Sequence, residues 1–185
     1  GTDRVRPQYA DVYLLFSFPN IIEDRLGLDI RLSYTLEANL KYYGLGNASS
    51  VPEGFGATDS YFEHSRTHPT LRMTWEYRLK PFAVSWGASY TQNWFDVPEG
   101  TLLADEMQSP EPSVRGLLGE AQPHGTPEIS LAVALDTRDN EVSPVRGLYI
   151  TERLDVVPGT FGAADYRYAR LGTAVHAFVP LVPRD

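Results

Sequence analysis

Apolar and polar residues alternate along the stretch TLRMTWEYRL, residues 70 to 79. Its even positions hold threonine, arginine and glutamate. Successive side chains of a β-strand point to opposite faces of a sheet, so a period of two predicts a strand with one apolar and one polar face. The apolar face comprises the residues at the odd positions: Leu71, Met73, Trp75, Tyr77 and Leu79.

The same alternation recurs along the chain. It is clear in DRLGLDIRLSYTL (24–36) and in FAVSWGASYTQNW (82–94), whose apolar face begins with Phe82, Val84 and Trp86. Glu152 interrupts the apolar face of its segment, which leaves the register there open. The pattern predicts seven strands and no amphipathic helix. Weaker alternation marks the other four strands: ADVYLLFSF (10–18), EISLAVALD (128–136), GLYITERLDVV (147–157) and YRYARLGTAVHAFVPL (166–181).

The predicted connections differ in length at the two ends of the strands. The long segments 36–60 and 96–127 fall at one end, and very short turns such as residues 80–81 fall at the other. Bacterial outer-membrane barrels have long extracellular loops and short periplasmic turns. A tilted strand of about 9 to 11 residues is long enough to span the bilayer. These features predict one all-β domain over residues 1–185 and fit an antiparallel up-and-down transmembrane β-barrel.

A soluble lipocalin-like barrel or a β-sandwich would also alternate, with its apolar face turned inward. The polar faces of the strands carry small residues such as Ala83, Ser85 and Gly87, as a water-filled lumen would. Aromatic residues near strand ends fit the interfacial girdles of a membrane barrel. Both architectures remain open on pattern alone. The girdle candidates are Tyr34, Tyr77, Phe82, Tyr90 and Trp94.

Composition narrows the function more than the fold. The net charge of −8, with 16 lysine and arginine residues scattered along the strands, argues against a nucleic-acid partner. The mean hydropathy of −0.28 suits a polar-lumen barrel as well as a soluble protein. No apolar run is long enough for a transmembrane helix, and the absence of cysteine removes disulfides and thiolate chemistry.

Two segments carry a resemblance to a known family. YYGLGNAS (42–49) and LDTRDNEVSPVRGLYI (135–150) resemble the loop and hairpin motifs of the bacterial surface antigen family, the BamA/TamA-type outer-membrane barrels. The likeness extends from about residue 20 to 181, as the first half of such a barrel. It implies sixteen strands in a complete member, preceded by POTRA repeats or by an enzymatic domain. Seven strands do not close such a barrel, so we expect a partial transmembrane barrel of about seven or eight strands; a further strand near the N-terminus or in 100–127 would allow a small closed barrel instead. No signal peptide is visible, so we expect either a cytoplasmic chain or a mature or excised piece of an exported protein.

The second motif supplies the candidate site. We expect its carboxylates to hold the Arg138 side chain and to cap turn amides. Pro144 would fix φ, and Gly147 would permit an unusual angle before the next strand. The hairpin is interpreted as periplasmic and structural. Its residues are Asp136, Arg138, Asp139, Asn140, Pro144, Arg146 and Gly147.

Enzyme chemistry finds no support in the sequence. The four histidines lack metal-ligand spacing, and no nucleophile elbow, phosphate loop or dinucleotide motif occurs. We expect no catalytic residues, no metal and no cofactor. His64 and His68 would lie on one face of their strand, pointing to the lumen.

By resemblance, the chain would take part in assembly, insertion or translocation of proteins at the bacterial outer membrane. The expected partners are membrane lipids and client or periplasmic proteins, with lipopolysaccharide as a further candidate for the acidic loop 96–112. The first strand, residues 10–18, would offer an open edge to a client. Two alternatives remain: the membrane anchor of a larger, enzyme-bearing protein, and a soluble ligand-binding barrel.

Overall fold

The computed structural model of the chain describes residues 9–44, 54, 60–110, 121–162 and 166–180. These residues form one antiparallel sheet of eight strands. A short helix α1, Leu102–Met107, and a 3₁₀ turn, Ser60–Phe62, lie between strands. The strands are β1 Tyr9–Ile22, β2 Leu26–Lys41, β3 Glu63–Leu79, β4 Phe82–Asp96, β5 His124–Asp136, β6 Gly147–Val157, β7 Phe161–Gly162 and β8 Tyr168–Phe178.

The sheet is a meander in the order β1-β2-β3-β4-β5-β6-β8, and the short β7 pairs with the first two residues of β5. This arrangement confirms the prediction of an all-β, antiparallel up-and-down fold. Each of the seven predicted strands is present, whereas α1 and β7 were not predicted. Over the described residues the sheet does not close, so β1 and β8 are its two edges.

The pairing register aligns the faces of neighbouring strands, so the sheet has two continuous faces. Leu14 pairs with Leu32, Leu32 with Leu71 and Leu71 with Tyr90. Further along, Leu131 pairs with Leu154, which pairs with Leu171. Because paired residues point to the same side, the apolar stripes of the individual strands join into one surface, here called the apolar face. The opposite surface, called the polar face, carries Asp11, Arg31, Arg72, Asn93, Glu128, Asp155 and Arg170.

Burial on this sheet is inverted relative to a water-soluble barrel. The most buried side chains of the strands include Asn93, His124 and Asp155, each 2–3% exposed and each on the polar face. The apolar face is open, with Ile129 59% and Leu171 73% exposed. Among the described residues only three hydrophobic side chains are buried, and none lies on the apolar face: Phe62, Leu103 and Val157.

One aromatic contact on the apolar face fixes a local register. The Tyr90 ring lies against Gly125, where a Cβ atom would overlap the ring. The Tyr90 hydroxyl also donates to Oε1 of Gln92, two residues along β4, at 3.0 Å. Gly125 is a diagonal neighbour of Tyr90 across β4 and β5. Because the glycine has no side chain, the ring can pack directly on the backbone of β5.

The shortest connections lie at one end of the sheet and the two longest at the other, as predicted, and one ten-residue connection lies at each end. The turns 23–25, 80–81 and 137–146 lie at one end, called the turn end, and the segments 42–62, 97–123 and 158–167 lie at the other, called the loop end. The long segments are shorter than expected because β2, β3 and β5 continue beyond their alternating parts. The Y-G-L-G-N part of the first family motif lies largely outside the described residues.

Candidate functional site

At the turn end, the hairpin between β5 and β6 is held by its own side chains. The Arg138 guanidinium donates to both carboxylate oxygens of Asp136, at 2.9 and 2.6 Å, and lies 4.6 Å above the Tyr149 ring. The Arg138 amide also donates to Asp136 Oδ1 at 3.1 Å. One carboxylate therefore fixes both the backbone and the side chain of the turn's arginine.

Two further side chains cap the amides of this hairpin. Asp139 Oδ1 accepts from the amides of Val145 and Arg146, at 2.9 and 3.1 Å. Asn140 Oδ1 accepts from the next pair of amides, those of residues 142 and 143. The hydrogen bonds from the Val145 and Arg146 amides lower the pKa of Asp139 below its usual value.

Gly147 ends the turn in a conformation that favours glycine. Its φ is +119°, and a Cβ at this position would overlap the carbonyl oxygen of Thr137. The amide of Thr137 donates to the Leu148 carbonyl at 2.8 Å, which draws the two chains together at this point. Among the described residues, no hydrogen bond or ion pair involves the side chain of Pro144 or of Arg146.

At the loop end, α1 and the 3₁₀ turn pack together above the strands. Phe62 and Leu103 are 1% and 4% exposed, and the Tyr42 hydroxyl donates to Oε2 of Glu106 on α1. Burial raises the pKa of Tyr42 above its usual range, and the bond to Glu106 raises it further. Thr101 caps the helix by accepting from the Ala104 amide.

A buried polar network links β3, β4, β5 and the segment before β8. Arg66 donates twice to Oδ1 of Asn93, and the Asn93 amide faces His124 Nε2 at 3.2 Å. His124 Nδ1 lies 2.7 Å from the Gln122 carbonyl, so it carries the proton and Nε2 accepts. The Tyr166 hydroxyl completes the network, 3.0 Å from Nε2.

Charged groups form a second network near the β8 edge. Asp155 is 2% exposed and accepts from Arg153 at 2.7 Å and from Arg170 at 2.8 Å. Glu128 lies 3.9 Å from Arg153 and 3.8 Å from Arg72. Charges of opposite sign thus alternate across β3, β5, β6 and β8 on the polar face.

Beneath α1, the polar face forms a cavity of about 490 Å³, here called the loop-end cavity. Arg72, Ser89, Glu128 and Tyr168 line its floor, and Leu103 lines its roof. Nothing in the sequence singles out these residues, because they meet only through the pairing of separate strands. A smaller cavity of about 270 Å³ lies at the turn end beside Arg138.

The residues expected to face lipid lie together on the apolar face. Trp75 pairs with Trp86, Tyr77 with Val84, and Leu79 with Phe82. Leu71 and Met73 continue this surface and are 43% and 38% exposed. Sequence pattern groups these residues, and the register joins them into one patch.

Glu152 is the exception on the apolar face. It pairs with Val133 on one side and Thr173 on the other, and the Thr173 hydroxyl donates to its Oε2 at 2.7 Å. The register of β6 is therefore regular through this position, with the carboxylate on the same side as its apolar neighbours Ile150 and Leu154.

The described residues contain no group of three or more histidine and carboxylate side chains arranged to hold a metal ion. No described helix is long and apolar enough to cross a membrane. His64 and His68 both lie on the polar face, near Glu37. No protein-family model, curated protein or solved structure matches this chain.

Proposed function

We propose that the chain forms part of the wall of a membrane-spanning β-barrel in a bacterial outer membrane. The inverted burial of the sheet carries this proposal. Polar side chains such as Asn93 and Asp155 are enclosed, whereas seven strands present apolar side chains outward. In water this surface would be unfavourable, since soluble monomers rarely expose contiguous apolar patches beyond a few hundred Å². Lipid acyl chains are its natural solvent.

The polar face supports the same proposal. Its carboxylates and arginines are paired with one another, as Asp155 is with Arg153 and Arg170. A soluble barrel of this type would instead turn Leu71, Met73 and Leu79 inward. A water-filled lumen lined by paired charges agrees with the observed arrangement.

The lengths of the connections suggest an orientation. Outer-membrane barrels place short turns in the periplasm and long loops outside the cell. On this basis the hairpin with Asp136 and Asp139 is periplasmic, and α1 and the loop-end cavity lie on the extracellular side. The acidic part of the segment 97–110 would then lie beside lipopolysaccharide, a candidate partner. Divalent cations would bridge the carboxylates of the loop to the lipopolysaccharide.

From the resemblance to the surface antigen family, we propose a role in assembling or inserting other outer-membrane proteins. The edge strand β1 suits this role. Leu14 and Phe16 lie on its apolar face, Leu15 adds an apolar side chain to its otherwise polar opposite face, and its outer edge is unpaired among the described residues. Such an edge can pair with a strand of a client protein.

The lipid-facing assignment is tested by labelling two adjacent residues of β3. The chain contains no cysteine, so Trp75→Cys and Glu76→Cys each give one site for an environment-sensitive dye. In liposomes we expect lipid-confined quenchers to reach position 75 and aqueous quenchers to reach position 76. Quenching of both positions by aqueous agents alone, with lipid present, would contradict the proposal.

The proposed role in insertion is tested separately by crosslinking. A photoreactive residue at Phe16 on β1 should capture unfolded outer-membrane proteins, while one at Ile129, on the same face but in the middle of the sheet, should not. Equal capture from both positions would indicate nonspecific apolar contact, and would favour the alternative of a membrane anchor without insertion activity.

A further inference from the structure

The loop-end cavity contains polar groups that the protein leaves without full hydrogen bonding. Arg72, Ser89 and Glu128 lie side by side in one row of the sheet, since Arg72 pairs with Ser89 and Ser89 with Glu128. Arg72 Nη2 is 3.8 Å from Glu128 Oε1, too far for a direct hydrogen bond. The Ser89 hydroxyl has no side-chain hydrogen bond to the described residues.

The unused groups include both donors and acceptors. Arg72 supplies several N–H donors, Glu128 supplies carboxylate acceptors, and Ser89 supplies both. His64 Nδ1, also at this cavity, is buried and has no hydrogen-bond partner among the described residues. A ligand that fits must therefore present donors and acceptors at closely spaced positions.

Aromatic rings form another wall of the cavity. Tyr168 and Tyr166 are stacked, with ring centroids 6.1 Å apart and planes inclined by 16°. Phe95 lines the same space. Ring faces of this kind pack against C–H groups, so the ligand needs an apolar surface beside its polar edge.

Each charged side chain that lines the cavity has an oppositely charged group within 4 Å. Arg72 faces Glu128, and Arg66 has Glu37 at 3.8 Å and gives two hydrogen bonds to Asn93. This balance gives little preference for an anion such as phosphate. We propose that the loop-end cavity binds an uncharged polyhydroxylated ligand, a saccharide whose hydroxyl groups meet Arg72, Ser89 and Glu128 and whose ring faces meet Tyr168. The volume of about 490 Å³ lies in the range of small-molecule pockets.

The proposal is tested by saturation-transfer NMR on the full chain in detergent micelles, with maltotriose, cellotriose and chitotriose as probes. We expect transfer from tyrosine protons to the C–H protons of at least one trisaccharide. Arg72→Ala should weaken its binding roughly tenfold. Ser89→Phe, which fills the floor of the cavity, should abolish it and provides a second variant if Arg72→Ala does not fold.

The matched control is Arg78→Ala, on the same strand and face but lining the turn-end cavity. It should leave trisaccharide binding unchanged. Absence of transfer to all three trisaccharides, binding that survives Ser89→Phe, or binding of inorganic phosphate or glycylglycine in their place would each overturn the proposal. Saturation transfer measures trisaccharide binding, whereas the dye test on β3 measures which face meets lipid. A failure of one experiment can therefore be told apart from a failure of the other.

Discussion

Thr173 donates a 2.7 Å hydrogen bond to Glu152 on the apolar face, between residues that pair directly across β6 and β8. Glu152 is the sixth of the eleven residues of β6, so this carboxyl group lies at mid-strand among apolar side chains. In the proposed barrel this position lies within the bilayer, where ionisable groups are costly. The hydroxyl of Thr173 satisfies one oxygen and reduces that cost.

Glu152→Leu should therefore stabilise the protein in lipid vesicles. If the apolar face meets lipid as proposed, removing this carboxyl group raises the free energy of unfolding by about 1–2 kcal/mol. Urea titration of the folded protein in vesicles measures the change. Glu76→Leu, the same substitution on the polar face, should lower the stability, because it leaves Arg78 without its partner. A loss of stability in Glu152→Leu would argue against lipid contact at this position.

Gly147→Ala should be strongly destabilising. Its φ of +119° and the overlap of a Cβ with the Thr137 carbonyl predict a loss of about 1–3 kcal/mol. Gly172→Ala, in β8, is the control, since a Cβ there meets open space. In urea titrations, the unfolding midpoint of Gly147→Ala should fall and that of Gly172→Ala should not. Equal midpoints would mean that the hairpin relaxes without cost.

Asp139 should make the hairpin sensitive to acid. The amides of Val145 and Arg146 lower its folded-state pKa. Its carboxylate therefore stabilises the fold at pH values above the usual pKa of an aspartate. That stabilisation is lost as the pH falls from the usual pKa of an aspartate to the lowered pKa of Asp139 in the folded protein. Asp139→Asn should flatten the dependence of unfolding midpoint on pH in this window. Asn140→Ala removes an uncharged cap of the same hairpin, so it should lower the stability but keep the slope of the parent chain.

Asp155→Asn should weaken the β6–β8 pair. The buried carboxylate holds Arg153 and Arg170, and an amide oxygen cannot balance both charges. The arginines are half exposed, so water screens part of the loss, and we expect about 1–3 kcal/mol. Asp29→Asn is the control, because within the described part of the chain this exposed carboxylate accepts only from the Ser17 hydroxyl. Hydrogen exchange of β8 amides should rise in the first variant alone.

The strands could be predicted from the sequence because each carries its own alternation. Leu71 to Leu79 mark β3 without reference to any other segment. The part of β3 before Pro69 carries no such signal, since Arg66 and His68 alternate with Ser65 and Thr67 and both faces are polar there. The strand continues because β2 and β4 supply hydrogen-bonding partners.

The site residues were only partly predictable. The hairpin around Asp136 and Asp139 is local in sequence, and its turn chemistry can be read from spacing. The network of Arg66, Asn93 and His124 depends on register across three strands, which a one-residue slip would destroy. Short elements such as α1 and β7 also depend on tertiary contacts, because six and two residues carry too little periodicity to be recognised.

The two open edges of the sheet give it a capacity for lateral growth. Any strand that joins β1 or β8 in register inherits the division between the faces, since pairing places its alternate side chains beside those already there. Leu14 and Leu171 set which side of the newcomer must be apolar, and Tyr13 and Arg170 set which side must be polar. In the proposed insertion role, the sheet would act as a template that selects incoming strands by their periodicity rather than by any particular sequence.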